Sequence, residues 1–202
     1  MTSYAMACGP DTSTPADTTA DSVAELSDDR LIARVAERDQ EAFAGLLGRH
    51  LDAIHGYLYR LTGSQADADD LSQETFLRVW QKASTFKQGR VKLSTWLHRI
   101  AHNLCVDEFR KRRPIGEVEP DQLAASNPGQ ETGLALQQST AQLKAALQGL
   151  PESQRSALVL CQLQGFSNQE AAEILGIGVR ALESLLARAR RRLKNELCEH
   201  IS

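Results

Sequence analysis

The sequence is poor in the features that several function classes require. Aromatic residues make up only 5% of the 202 positions. β-Branched runs are few while Ala and Leu are abundant, which argues for an all-α chain. The four cysteines, Cys8, Cys105, Cys161 and Cys198, are scattered without a CxxC pair. Neither a zinc ribbon nor a disulfide framework is therefore expected, and inert thiols are the default. No apolar run approaches the roughly 20 residues needed to cross a bilayer, and the N-terminus lacks a basic-then-apolar leader. Direct membrane insertion is not expected, and a cytoplasmic location is. No Gly-rich phosphate loop and no nucleophile–base arrangement occurs. The expectation is a non-enzyme with no cofactor and no small-molecule substrate.

Charge is present in both signs but unevenly spread. The net charge of −3 divides into four blocks. Residues 1–30 carry one base and six acids, residues 31–113 fourteen bases and ten acids, residues 114–140 no base and four acids, and residues 141–202 eight bases and six acids. Two basic blocks thus alternate with two acidic ones. A nucleic-acid-binding protein need not be basic overall if its binding faces are.

Composition and periodicity divide the chain. Residues 1–26, rich in Thr, Ser, Asp, Ala and Pro, read as a disordered acidic tail. Ser27 followed by Asp28 and Asp29 marks a helix start. Between 27 and 113 apolar residues recur at spacings of three and four, predicting helices that begin near Ser27, Asp39, Ala66 and Ser94. Thr62-Gly63-Ser64 separates the second from the third, and Pro114 stops the fourth. Residues 84–92 form a basic loop containing Gly89. Residues 114–133, with three prolines and three glycines, read as a linker. Helices resume over 134–202, interrupted at Gly149-Leu150-Pro151 and Gly165. Two small helical domains joined by a flexible acidic linker are expected.

The last sixty residues carry the sharpest local pattern. Ser167 and Glu170 have capping-box spacing, and Ala171, Ala172, Ile174 and Leu175 supply a packing face. Gly176 provides a positive-φ turn. Val179, Leu182 and Leu186 bury one side of a second helix, leaving Arg180, Glu183, Ser184, Ala187 and Arg188 outward. This is a helix-turn-helix pattern with a basic continuation, suited to reading a DNA groove. Taken alone it also fits a bundle helix whose arginines merely solvate a face.

Two further segments narrow the choice. Asp67-Ala68-Asp69-Asp70-Leu71-Ser72-Gln73-Glu74-Thr75-Phe76-Leu77-Arg78-Val79-Trp80 resembles the DAEDLxQETFLRxW motif of the extracytoplasmic-function (ECF) group of bacterial sigma factors. Leu93-Ser94-Thr95-Trp96-Leu97-His98-Arg99-Ile100-Ala101-His102-Asn103-Leu104-Cys105-Val106-Asp107, followed by Arg110-Lys111-Arg112-Arg113, resembles that family's next helix. The C-terminal helix-turn-helix resembles its −35-reading domain. The three stand in family order, and the resemblance spans about Ser27 to Leu197.

The resemblance implies a sigma-2 helical bundle over 27–113 and a sigma-4 helix-turn-helix domain over 134–202. Core RNA polymerase (β′ clamp helices and β flap), promoter DNA and an anti-sigma factor are the implied partners. Asp70, Gln73, Glu74, Phe76, Leu77, Arg78 and Trp80 would dock on polymerase, although Phe76 and Trp80 serve equally well as core. Lys87, Arg90, Lys92, Trp96, Arg99, Asn103, Arg110, Arg112 and Arg113 would meet the −10 DNA, where basic charge neutralises phosphate and an aromatic receives an unstacked base. The loop before the fourth helix would form a pocket for a flipped base. Arg180, Ala181, Glu183, Ser184, Ala187, Arg188 and Arg191 would read −35. Glu183, Leu185 and Ala187 depart from the commonest family pattern, which implies a particular promoter preference. The family lacks the extra domains of housekeeping sigma factors, which implies few promoters and demanding matches. The acidic linker would pass through positively charged polymerase channels as a nucleic-acid mimic.

His98, His102 and Cys105, at i, i+4 and i+7, share a helical face that zinc could use. Two of these positions overlap those expected to face DNA or core, and no metal is assigned. Two rivals remain on the residues: a DNA-binding regulator of the two-component output type, and a sigma mimic that titrates an anti-sigma factor. The 66–80 motif speaks against the first, and the basic blocks speak against the second.

Overall fold

The computed structural model describes residues 23, 25–112 and 143–199, with side chains through 195. The expected linker 114–133, Arg113 and most of the 1–26 tail lie outside these residues, as do 134–142.

The first three helices of the first module each begin at a capping side chain. α1 (Asp28–Ala36) starts as Ser27 Oγ accepts the Arg30 N–H at 3.4 Å, with Asp28 and Asp29 against the N-terminal dipole. α2 (Gln40–Thr62) starts as Asp39 accepts from the Ala42 N–H at 3.0 Å, and Asp39 also pairs with Arg34 at 2.6 Å. These donors, Ala42 first, hold the Asp39 carboxyl below its usual range. Gly63, at φ 71°, ends α2 in the left-handed conformation. α3 (Gln65–Lys82) is capped by Ser64 and runs into a 3-10 turn, Ala83–Thr85. A loop then leads to α4 (Leu93–Arg112). Leu31, Ile32, Leu46, Ile54, Tyr57, Leu58, Leu61 and Leu97 fill the space between these helices and are fully buried.

The expected tail is shorter than 1–26. Leu26 is buried and Val23 packs against the same core. The Val23 Cγ1 methyl lies 2.5 Å from where a Cβ on Gly45 would sit, and Arg49 donates to the Val23 carbonyl at 3.3 Å. An apolar residue at each of these two positions lets the chain gain burial before α1 begins.

The second module comprises α5 (143–148), α6 (Glu152–Leu158), which widens into a π-turn over Val159–Leu163, then α7 (Asn168–Leu175) and α8 (Val179–Glu199). The Ser167–Glu170 capping box forms in both directions, and Gly176 turns the chain at φ 68°. Glu170 accepts from the Ser167 hydroxyl and amide and from Lys92, and its carboxyl is pulled down to about 2, by Ser167 first. Ala171, Ala172, Ile174, Leu182, Leu186 and Ala189 are buried together. All described elements are helical, and their buried side chains form one continuous cluster across both modules.

That continuity is not legible in the sequence. α7 packs on α4, and α6 with its π-turn packs on α2. Phe166 meets His98 edge-on at 4.7 Å, and Gln164 donates to the Ala53 carbonyl at 3.2 Å. The modules, expected as separate beads on a tether, share an interface.

Candidate nucleic-acid and protein interfaces

α8 presents one polar face to solvent. Arg180, Ala181, Glu183, Ser184, Ala187, Arg188 and Arg191 are all exposed, whereas Leu182, Leu186 and Ala189 are buried. The exposed set recurs every three or four residues and so forms one stripe. Among the described residues no ion pair engages Arg180, Arg188 or Arg191. Their charge is available to phosphate, and Glu183 stands among them as an acceptor.

α4 and the loop before it form the second basic surface. Lys87, Arg90, Arg99, Asn103 and Arg110 are exposed. Trp96 is half-buried, its ring 5.4 Å from that of Phe86 and tilted by 59° to it. The loop, with Gly89 at φ 76°, lines an open pocket of about 540 Å³ together with Ser27, Asp28, Asp29 and Ser94. Gln88 ties the loop down by donating to the Asp29 carbonyl at 2.7 Å.

Three cations of the expected −10 set are already engaged, Arg110 only loosely, at 3.8 Å from Asp107 on its own helix. Arg112 forks onto Asp67 at 2.7 and 2.8 Å and also reaches Glu108 at 3.2 Å. The Arg112 guanidinium holds the Asp67 carboxyl below its usual range. Lys92 pairs with Glu170 of the other module at 2.9 Å. Arg113 lies outside the described residues.

On α3, Asp70, Gln73 and Leu77 are exposed, with Glu74 and Arg78 beside them in a 2.8 Å ion pair. Leu77 is 55% exposed, the largest value among the exposed large hydrophobic side chains described. Phe76, expected as a partner contact, is only 3% exposed and sits in the core. It is buried with Leu71 and Val79 of the same helix, beneath the exposed side chains of Asp70, Gln73 and Leu77. Trp80 is half-buried, edge-on to Phe43 at 5.1 Å, with Arg38 5.5 Å above its ring. Both aromatics are therefore used inside the module, and Leu77 is the apolar group left for a partner. Asp67, Asp70, Glu74, Arg78 and Arg110 rim a groove of about 620 Å³ between α3 and α4.

His98, His102 and Cys105 share one face of α4, and that face is packed rather than open. The Tyr57 hydroxyl is 3.0 Å from His102 Nδ1, and His98 Nδ1 donates to the Ser94 carbonyl at 2.8 Å. Burial pulls both imidazoles down to about 4 and pushes the Cys105 thiol up to about 12. Among the described residues no group of three potential ligands is placed to hold a metal ion.

The two modules coincide with two family models. Residues 40–115 match Sigma-70 region 2 and residues 140–193 match Sigma-70 region 4. The chain is 37% identical over 173 residues to the ECF RNA polymerase sigma factor SigM of Mycobacterium tuberculosis, covering 84% of each. The chain belongs to the ECF family of sigma factors. It is also 37% identical over 161 residues to SigE of Mycolicibacterium smegmatis, covering 78% of this chain but 62% of that longer protein. Among solved structures, the sigma factor RpoE of Bartonella quintana, determined with the anti-sigma factor NepR, aligns at 32% identity with a TM-score of 0.60. The alignment covers 77% of this chain and 96% of RpoE.

Sequence reasoning did not find the residues that join the modules of this sigma factor. Lys144, Gln148, Arg155, Gln164 and Phe166 look like ordinary surface or core positions in their own helices. Their contacts across the interface come from the partner module, distant in sequence.

Proposed function

We propose that this chain directs core RNA polymerase to a small set of promoters, reading −35 with the exposed stripe of α8 and opening −10 with α4 and its preceding loop. The observation that carries the reading is that the helices bearing these motifs are packed by their apolar sides while their polar stripes stay exposed. Arg180, Ser184, Arg188 and Arg191 are suited to phosphate and base-edge contacts, and Glu183 to a cytosine amino group. Lys87, Arg90, Arg99 and Arg110 neutralise phosphate around the melted element. Trp96 offers an aromatic edge to an unstacked base, and the loop pocket at Gly89–Ser94 is a receptacle for a flipped one. Asp70, Gln73, Glu74, Leu77 and Arg78 dock the β′ clamp helices, with Leu77 as the apolar anchor, and the second module contacts the β flap.

RpoE was determined in complex with an anti-sigma factor, and we extend to this chain a partner of that kind that holds it inactive. No described helix is long and apolar enough to cross a membrane, and the site of action is the cytoplasm with the polymerase. The chemistry belongs to the polymerase, and the chain is not itself an enzyme. A reconstituted assay tests the reading: purified chain and core polymerase on fragmented genomic DNA, with transcript starts sequenced. Discrete starts sharing −35 and −10 elements are expected. Tight duplex binding by the chain alone, with no polymerase-dependent starts, would instead identify a stand-alone DNA-binding regulator.

A further inference from the structure

The end of α4 is tied to the start of α3 by one side chain. Arg112 donates through both terminal nitrogens to Asp67, at 2.7 and 2.8 Å, and such a fork fixes orientation as well as distance. Asp67 lies in the first turn of α3, where its amide donates to the Ser64 cap at 3.3 Å, and Arg112 lies in the last turn of α4. An acid at a helix N-terminus and a base at a helix C-terminus each suit the helix dipole. Among the described residues this is the one ion pair between α3 and α4. The other pairs at that end, Arg110 with Asp107, Lys111 with Glu108 and Arg112 with Glu108, lie within α4 and fix nothing relative to α3. Arg112 also stands away from the DNA stripe. At about 100° per residue, Arg99, Asn103 and Arg110 fall within about 40° of one another, whereas Arg112 is about 200° from Arg110. That is the side of the buried Ala101 and Cys105. On α3, Asp67, Asp70 and Glu74 follow one another at steps of three and four, so Asp67 opens the stripe offered to polymerase.

We infer that the Asp67–Arg112 pair is a strut between the polymerase-docking face of α3 and the DNA-opening face of α4, and that Arg112 promotes −10 opening as a positioning residue rather than as a phosphate contact. The function of the strut rests on the sigma reading. Polymerase bound to Asp70, Glu74 and Leu77 fixes α3. The fork carries that constraint to the last turn of α4, whose carbonyls have no intrahelical partner and which would otherwise fray. Arg110, on the opposite side of the same turn, is thereby held toward the melted element. Phosphate is neutralised by Lys87, Arg90, Arg99 and Arg110, and Arg112 supplies direction. The two roles for Arg112 differ in sign. A DNA contact restrained by Asp67 would be released when the acid is removed, a negative charge would leave the DNA surface, and opening would quicken. A strut deprived of the same acid slows opening.

The test is the rate of promoter opening by core polymerase loaded with the full chain. It is followed by 2-aminopurine fluorescence within the −10 element of a duplex carrying a start that the wild-type chain directs. Asp67→Asn and Arg112→Gln should each slow opening about tenfold, a common size for the coupling of contacting residues, and the double variant should be no slower than either. Affinity for core polymerase should be unchanged in all three. The salt slope of promoter binding should keep its wild-type value in Arg112→Gln but fall by ~0.9 in Arg99→Gln. His55→Ala breaks an exposed pair with Asp69 between α2 and α3; it controls for lost stability and should leave the opening rate as it is. Faster opening or tighter promoter binding by Asp67→Asn overturns the inference, as does a salt slope that falls in Arg112→Gln, a loss of core affinity, or an unchanged rate in both single variants. Equal slowing by His55→Ala reduces the pair to a stability effect and overturns it too. A wild-type chain that opens no promoter overturns the sigma reading and the coupling with it. Urea unfolding then judges the pair alone: non-additive losses in the double variant sustain it as a structural tie, and additive losses overturn it.

Discussion

Lowering the pH from 7 to 5 should destabilise this protein through two histidines. His98 and His102 are 3% and 8% exposed, and desolvation holds both imidazoles neutral down to about pH 4. In the unfolded chain both protonate near 6.5. Their contribution to stability is therefore complete above pH 6.5 and is lost as the pH falls towards 4, because the unfolded chain binds protons that the folded chain refuses. At about 1.4 kcal/mol per pH unit, each histidine costs about 2 kcal/mol at pH 5, or about 4 kcal/mol together. With a urea slope of about 2 kcal/mol per molar, the unfolding midpoint should fall by about 2 M. The window isolates the histidines, since the lowered carboxyls Glu170, Asp67 and Asp39 lose their contributions only at more acidic pH. His98→Phe is the companion test. Its Nε2 is buried without a hydrogen-bond partner, and its ring stacks edge-on against Phe166, so phenylalanine should halve the pH dependence with no loss of stability at pH 7. Urea titrations at the two pH values and the imidazole proton shifts measure both. Imidazole signals titrating near pH 6.5 in the folded chain, or an unchanged midpoint, would refute the reasoning.

Three further outcomes separate packing from recognition. Leu77→Asp should abolish binding to core polymerase with a change in thermal stability of under ~0.5 kcal/mol, whereas Phe76→Ala should cost about 3–5 kcal/mol of stability; affinity capture and melting curves distinguish the two. Ser167→Ala removes the side-chain arm of the α7 capping box while the residue 167 amide can still donate to Glu170, and should cost ~1 kcal/mol, read from denaturant unfolding. Glu183→Ala should relax base preference at one −35 position by ~1–3 kcal/mol while Arg188→Ala weakens all −35 sequences alike and lowers the salt slope, as measured on a panel of promoter duplexes with core polymerase present.

Helix ends were legible in the sequence because they are local events. A capping side chain reaches an amide two or three residues away, and a glycine turns the chain on its own φ. Ser27, Asp39 and Ser167 act as caps, and Gly63 and Gly176 end helices, as their neighbours in sequence predict, while Ser64, read only as part of the break, caps α3 one residue earlier than expected. The α8 stripe was equally readable, because a 3.6-residue period separates its buried leucines from its exposed arginines. What periodicity could not decide was the fate of the aromatics. Phe76 and Trp80 fit an interface as well as a core, and only the positions of Leu71, Val79, Phe43 and Arg38 around them settled the matter.

The sequence alone therefore determined the class of protein, the order of its helices and the polar faces they display, since each depends on residues within a few turns of one another. The tertiary structure alone decided which charges are spent internally and how the modules meet. Arg112 is engaged by Asp67 and Arg155 by the end of α2, partners 45 and 94 positions away. Such pairings depend on the docking of whole helices, a property of summed surfaces that no local pattern of residues records.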